Sequence, residues 1–547
     1  MKRNFLNNSK SVNGKIEIIK VAMMVGVITA ITCIPYKEEG LSGYFPDLMY
    51  HMLRIEGVKE ALLEGIYPIG IYTNFFNGYG YGSPLFYPDI FLIFPALLRI
   101  LSVEPLLTWK IFAACIAATG TLTTYYSIKY ICKDSDCSIA ATFLIMLSQF
   151  WLADLINRVG ISEYLAFAFI PVLVAGGYDF FVYDGKKTYL MGIGFAGLLL
   201  SHTIMTFIAL IITAVIFVVM IFTGKDEVYL FNKDKMQRLV TTAMVTLLVC
   251  SYYIFPMLEQ MNSDKFQYKS PWAAIGKNTQ PFFTFFRTTG YFSVIAYVGI
   301  GIPILILLAI CLCLKKPKNK GANTFLLTGI LLFLISTPIF PWEKLQNTVF
   351  NMLQFTYRLW PYAIIFVVIG IILILKHHLS GHAGVKKIVV VLIAASSMIA
   401  GVYQNCNPMN TPTAESLMIT DDSLKVFNNY VGAGEWLPLG IPQEVKELTA
   451  TTKIVSEKDN MIYPLIYYKG YEAWTLSESG ERIELPVKKS EQGLVSVYNE
   501  YGKSKDEIVV EYTGTLIQKV SKIVSMLTVC MIVLYKIKRG KKDKNYE

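Results

Sequence analysis

Charge is what this sequence has least of. Of its 547 residues only 16% are Asp, Glu, Lys or Arg, while 54% are hydrophobic, a balance that soluble chains of this length rarely show. Cysteine is sparse too: there are nine, only Cys406 lies in a clearly polar stretch, and Cys311 and Cys313 flank Leu312 inside an apolar run. No disulfide framework or metal spacing follows, and small apolar packing accounts for all nine. Histidine numbers five, three of them in HHLSGH (377–382), so no His-rich zinc site is expected. Internal repeats and low-complexity linkers are missing. A small-residue cleavage site after the first apolar run, Ile18 to Tyr36, is missing as well. That run therefore reads as an uncleaved helix, with Lys20 close enough to its start to reach the interface.

Long apolar runs are what the chain has in abundance. Thirteen segments stand out, at 18–36, 85–101, 106–131, 138–155, 164–184, 188–201, 204–223, 239–256, 291–314, 323–340, 359–376, 387–403 and 516–536. Runs of about 18 residues with few charges are candidate spanning helices. The net charge of +10 sits between these runs, which marks basic membrane loops and argues against a nucleic-acid partner. If all thirteen crossed with the N-terminus inside, KKPKNK (315–320), the 225–238 stretch and KIKRGKKDK (536–544) would fall outside. Removing one early crossing returns them to the cytoplasm together with Lys2, Arg3, Lys10 and Lys15. The segment to remove is 85–101, which follows NGYGYGSP and contains Pro88, Asp89 and Pro95.

The expected fold is a polytopic α-helical membrane protein with about twelve transmembrane helices. Both termini are cytoplasmic, and a first external loop runs from about 37 to 105 with short helices along the outer surface. A topology with all thirteen crossings and the N-terminus outside is the alternative. Residues 404 to 514 hold MIYPLIYYKGYEAWTL, ERIELPV, GLVSVYN and EIVVEYT, which is strand chemistry and predicts an external β-rich domain. The division is thus a membrane domain at 1–403, the β-rich domain at 404–514, and a final helix with a basic tail at 515–547.

Under this topology several ionisable groups gather on the outer face. Pro46 and Asp47 read as a helix start, since proline is tolerated in a first turn and an acid there meets the positive end of the dipole. On a helix from 47 to 64, Asp47, His51 and Arg54 share one face, and Leu48, Met52, Ile55 and Leu62 share the other. The plain alternative is an amphipathic surface helix with solvated charges. In NRVGISEYLAFAFIP, Arg158 and Glu163 lie between two apolar runs. Dipole favour explains Glu163 on its own, and a pair with Asp154 one turn earlier explains Arg158. Unpaired, Arg158 would cost roughly 2.5–3.5 kcal/mol near hydrocarbon. His202, in LLLSHTIMTF, is read equally as a polar turn or a ligand contact. In NMLQFTYRLWPY, Gln354, Tyr357 and Arg358 precede a helix, and a snorkelling arginine is the plain alternative.

The functional reading gains from convergence. The topology chosen for loop charge places Asp47, Arg158, Glu163, His202 and Arg358 on one side. A carboxylate can take the proton of an attacking hydroxyl, and arginines can neutralise a phosphate leaving group through bidentate contacts. Acids and arginines at a membrane surface therefore suit chemistry on a lipid phosphate.

Here the chain resembles a known group. An acid at the start of a first external loop, then YGYGSPLFYP, then R-x-x-x-x-E opening a helix, is similar to the GT-C superfamily of membrane glycosyltransferases. More closely it resembles bacterial YfhO-like proteins and the membrane proteins called 6-pyruvoyl-tetrahydropterin synthase-related, with no pterin chemistry implied. The matching pieces are FPDLMYHMLRIEGVKEALLEGIYP, YGYGSPLFYP, NRVGISEYLAFAFIP, LLLSHTIM, YYIFPMLEQ and QFTYRLWPY. After the helices come GEWLP, YYKGYEA, GLVSVYN and VVEYTGT. The resemblance implies a GT-C core, with Asp47 in the place of the catalytic or metal-associated acid. Arg158 and Glu163 match the second external motif, and Arg358 the late arginine near the lipid phosphate. No Asp-x-Asp occurs in the first loop, where Leu48 and Met49 follow Asp47, and no second acid adjoins Glu163. No resident cofactor is therefore assigned, and a divalent cation stays an open alternative.

The expected activity is transfer of a sugar from a polyprenyl-phosphate-linked donor to an acceptor outside the bacterial cytoplasmic membrane, a cell-wall or teichoic-acid-type glycan. Asp47 is the expected general base. Arg158, Arg358 and His202 bind the donor phosphate, and His51, Arg54, Glu163, Tyr357 and Gln354 support them. The expected partners are the lipid-linked sugar, the extracellular glycan and membrane lipids. A transporter or flippase for a lipid-linked glycan is the main rival, with charge lining a path inside the bundle; a non-catalytic envelope-assembly protein is the third reading.

Overall fold

The computed structural model describes residues 2–35, 47–155, 159–223, 232–267, 274–287, 299–314, 320–406, 419–426, 434–439, 441, 460–504 and 507–544. The chain is a multi-pass, mostly helical membrane protein with a small β-sheet region. Seven helices among the described residues are long and apolar enough to cross a membrane. The bent pair Lys233–Val249 and Ser251–Ser263 makes up to eight. Shorter apolar helices occupy most of the remaining runs: Ile90–Ile100, Ser135–Met146, Tyr189–Leu199, Ile302–Cys313 and Gly321–Ile335. Every one of the thirteen apolar runs thus contains helix. At 1.5 Å per residue, Ile90–Ile100 is roughly 16 Å long, about half of a bilayer core.

Two compact units divide the chain: residues 1–48, 104–242 and 273–420 form the first, and 49–103, 243–272 and 421–547 the second. The first is a helical bundle around the Thr356–His378 span, whose most apolar window is 83% buried. Two glycines let that span meet its neighbour closely. A Cβ on Gly370 would stand 2.8 Å from the backbone nitrogen of Leu326, and one on Gly329 only 2.7 Å from the Ala363 carbonyl. Small residues at such crossings let backbones approach, which is how helices associate in lipid without a hydrophobic driving force. Helix starts are conventional: Asp134 accepts the Cys137 N–H at 3.0 Å, and Pro361 occupies the first turn of Trp360–His378, both suited to unpaired N-terminal donors.

The second unit holds the helix that begins at Leu48 and ends at Leu63, the turns around Tyr72–Tyr81, which form a β-bridge, and the two sheets. β1 (Asn460–Ile466), β5 (Leu494–Tyr498) and β4 (Val487–Lys489) make one antiparallel sheet; β3 (Arg482–Leu485), β2 (Tyr471–Leu476) and β6 (Val509–Tyr512) make the other. All four strand-like runs of the sequence form strands. Pro486 splits ERIELPV into β3 and β4, because it has no N–H to give; its carbonyl accepts from Tyr498 instead. Tyr463, Ala473, Leu485, Val495, Val497 and Ile508 form the small apolar core of this region.

One run departs from the sequence reading. The segment 239–256 reads as a single crossing, yet the helices on either side of Cys250 meet at 71°. The Ser251 hydroxyl donates back to the Leu248 carbonyl at 2.9 Å, and Pro256 sits inside the following helix; both interrupt the i to i−4 ladder. Ser525, on the Leu516–Lys544 helix, closes the break. Its hydroxyl accepts the Tyr252 N–H at 3.0 Å and stands 2.9 Å from the Val249 carbonyl.

Candidate functional site

In the first unit, three candidate residues come together where three spans begin. Glu163 lies in the first turn of the helix Ile161–Phe167, which opens the Ile161–Val182 span. His202 immediately precedes the Thr203–Phe222 span, and Arg358 lies in the first turn of Thr356–His378. Glu163 Oε2 accepts from Arg358 Nε at 3.3 Å, and His202 Nε2 is 3.9 Å from the same oxygen. All three side chains are at least 93% buried. Burying an acid and an arginine this far is tolerable only because they pair, and the positive helix ends add to the stabilisation of Glu163.

The donors around this carboxylate are specified. His202 Nδ1 accepts the Met205 N–H at 3.3 Å, which in the neutral ring leaves the proton on Nε2, the nitrogen facing Glu163. Arg358 Nη1 donates to the Leu353 carbonyl at 2.7 Å and to Gln354 Oε1 at 2.9 Å. Its Nε is spent on Glu163, while Nη2 makes no hydrogen bond among the described residues. Gln354 adopts φ +60°, a backbone that non-glycine residues rarely take and that often marks a constrained site. Tyr357 is buried and stacks on Phe355 with ring centroids 5.1 Å apart. The cluster is therefore a carboxylate between a guanidinium and an imidazole, with one guanidinium edge left for an anion.

The second unit holds a different constellation, centred on Arg54. Its Nη2 donates to Asp89 Oδ1 at 2.9 Å and to the Pro88 carbonyl at 2.7 Å, and Nη1 contacts His51 Nδ1 at 3.3 Å. The guanidinium lies 4.3 Å from the Tyr87 ring centroid, a cation–π distance. Arg54 is wholly buried and Asp89 nearly so. Burial holds the Asp89 carboxyl above the usual range, against the pull of Arg54, and pushes the Tyr50 phenol up to about 12. This knot ties the helix Leu48–Leu63 to the turn Tyr87–Asp89.

The remaining candidates are distributed as follows. Asp47 is half-buried in the turn that leads into Leu48–Leu63, as its reading as a helix start requires. Arg158 lies outside the described residues. His51 and Arg54 share their helix face, but their partners were not legible: Asp89, 35 residues further on, supplied in sequence only a reason against a crossing. The signal was there, since an acid within an apolar run needs a buried cation. Among the described residues no group of three or more His, Cys, Asp or Glu could hold a metal ion.

No family model matches the chain, and no curated protein matches it significantly. Among solved structures it is similar to a mutant arabinofuranosyltransferase AftD from Mycobacteria, with 14% identity, a TM-score of 0.41, and coverage of 70% of this chain and 27% of that one. It is similar to the Archaeoglobus fulgidus oligosaccharyltransferase in complex with Zn and sulfate, with 15% identity, a TM-score of 0.39, and coverage of 71% and 53%. It is also similar to the archaeal oligosaccharyltransferase AglB from Archaeoglobus fulgidus in complex with an inhibitory peptide and a dolichol-phosphate, with 14% identity, a TM-score of 0.37, and coverage of 71% and 55%. The chain spans 27% to 55% of the length of these structures.

Proposed function

We propose that this protein is a GT-C-like glycosyltransferase that moves a sugar from a polyprenyl-phosphate carrier to a glycan acceptor outside the bacterial cytoplasmic membrane. The observation that carries the reading is the Glu163–Arg358–His202 cluster at the starts of three spans, with Arg358 Nη2 left over for an anion. In the reaction the acceptor hydroxyl attacks the anomeric carbon, the bond from that carbon to the phosphate oxygen breaks, and the hydroxyl proton passes to a carboxylate. Asp47 is the proposed base. Arg358, and Arg158 with it, meets the charge that develops on the departing phosphate, and Glu163, the Leu353 carbonyl and Gln354 fix the guanidinium in place.

A transporter would distribute its charges along a path through the bundle. Glu163, His202 and Arg358 instead sit together at span starts, which favours the surface enzyme. The test is the profile of lipid-linked and wall glycans in cells carrying Asp47→Asn or Arg358→Lys in place of the wild-type gene. Accumulated lipid-linked donor and lost transfer at normal protein level support the assignment; near-wild-type transfer in Asp47→Asn removes Asp47 from the chemistry.

A further inference from the structure

The Ile161–Val182 span carries Glu163 at one end and Asp179 at the other, sixteen residues on, or roughly 24 Å along a helix axis. Around Asp179 lies a second, basic constellation that the proposed reaction does not use. The Tyr130 hydroxyl donates to Asp179 Oδ1 at 2.5 Å, and the Lys187 backbone N–H donates to Oδ2 at 2.6 Å. Both oxygens are thus engaged by neutral donors, and the carboxylate pins the connection 183–188 against the end of the Pro105–Cys132 helix. That arrangement sets two ammonium groups against one ring. Lys133 Nζ lies 4.0 Å from the Tyr130 centroid and Lys187 Nζ 4.2 Å from it.

The two ammonium groups are therefore no more than about 8 Å apart, which is within a Debye length at physiological salt. Among the described residues neither forms an ion pair within salt-bridge distance. Lys133 takes the left-handed conformation, φ +54°, that closes its helix, so its place is fixed by the backbone. Burial, and after it the charge of Lys187, holds the Lys133 ammonium below the usual lysine range, against the pull of Asp179. Other cations border the place: Lys235 reaches to 5.2 Å from the Phe180 ring, and Arg238 donates to the Asp184 carbonyl at 3.0 Å.

We infer that Lys133 and Lys187, held against Tyr130 by Asp179, form a binding site for a phosphate-bearing anion at the end of the span away from Glu163. Two ammonium groups with rotatable donors suit a phosphate as paired point charges, and an exposed basic patch at helix ends by a membrane surface suits an anionic headgroup. The site is independent of the sugar-transfer reading. Its ligand is either the headgroup of an anionic phospholipid or a free phosphate.

Native mass spectrometry of the full-length protein in detergent, with phosphatidylglycerol, phosphatidylcholine and inorganic phosphate, tests it. The expected result is roughly thirtyfold preferential retention of phosphatidylglycerol over phosphatidylcholine, from about 1 kcal/mol for each of the two lysines near the surface. Parity is expected in the K133Q/K187Q variant, with no change in K186Q, whose exposed side chain pairs with Asp184. Phosphatidylglycerol retained in the presence of millimolar phosphate identifies the lipid headgroup. A phosphate adduct that needs both lysines, without lipid preference, identifies free phosphate. Equal retention of both lipids with no phosphate adduct, or a preference that survives K133Q/K187Q, overturns the proposal. Should that variant fail to fold, acetylation rates on the wild type decide: phosphatidylglycerol or phosphate should slow modification of Lys133 and Lys187 but not Lys186, and equal rates throughout overturn the site.

Discussion

Arg358 and Arg54 are both buried arginines beside a buried acid, and they serve different ends. Arg54 spends Nη1 and Nη2 on Asp89, on the Tyr87 and Pro88 carbonyls and on His51, under the faces of two tyrosines. Arg358 spends Nε and Nη1 and keeps Nη2, and its acid, Glu163, also faces an imidazole. A guanidinium ringed by carbonyls and aromatic faces is a clamp. One with an edge to spare, at helix starts that favour negative charge, is suited to hold a ligand.

The largest effect separating the two should come from Arg54→Ala. Leaving Asp89 buried without its cation should cost about 3–5 kcal/mol, read as a drop in thermal unfolding temperature of the purified protein. The double change Arg54→Met with Asp89→Leu should recover most of that loss, because it removes both buried charges; a double variant as unstable as the single would refute the clamp. Arg358→Lys keeps charge but loses the fork, so glycan transfer should fall roughly 10²–10³-fold with unfolding temperature nearly unchanged. If stability falls and transfer does not, the two arginines are alike and the contrast fails.

His202→Gln should be milder still. At 3.9 Å the imidazole is beyond hydrogen-bond distance of Glu163, so a loss of less than about tenfold in transfer is expected, roughly 1.4 kcal/mol at most. The smallest effect concerns pH. Burial raises the Asp89 carboxyl, so its contribution to stability is full below the ordinary carboxylate range and is lost as pH rises through the raised value. Asp89→Asn should flatten that limb of the unfolding-temperature curve; an unchanged slope would mean that another group sets it.

Much of this was legible from residue order. Apolar runs announced helices, Val/Ile/Tyr alternation announced strands, and Glu163, His202 and Arg358 stood out because an ionisable group at the end of a greasy run needs a reason, with Gln354 named beside Arg358. What stayed hidden was pairing across distance. Nothing local links Arg54 to Asp89, since neither periodicity nor spacing spans 35 residues through turns and a bridge. The break at Cys250 was hidden for another reason: hydropathy counts carbon and ignores whether a serine hydroxyl has taken a backbone carbonyl. Asp179 likewise sits in an apolar run, and its role follows only from Tyr130, which lies on another helix.

That break has a consequence for how the protein is made. The donor and acceptor freed at 249 and 252 are satisfied by a hydroxyl 273 to 276 residues later in the chain. During synthesis, at about 5–20 residues per second, the two helices around Cys250 leave the ribosome well before Ser525 exists. For that interval of at least roughly ten seconds, the angle between them lacks its final fastener. The bend is a joint set late, by the arrival of a helix from near the other end of the sequence.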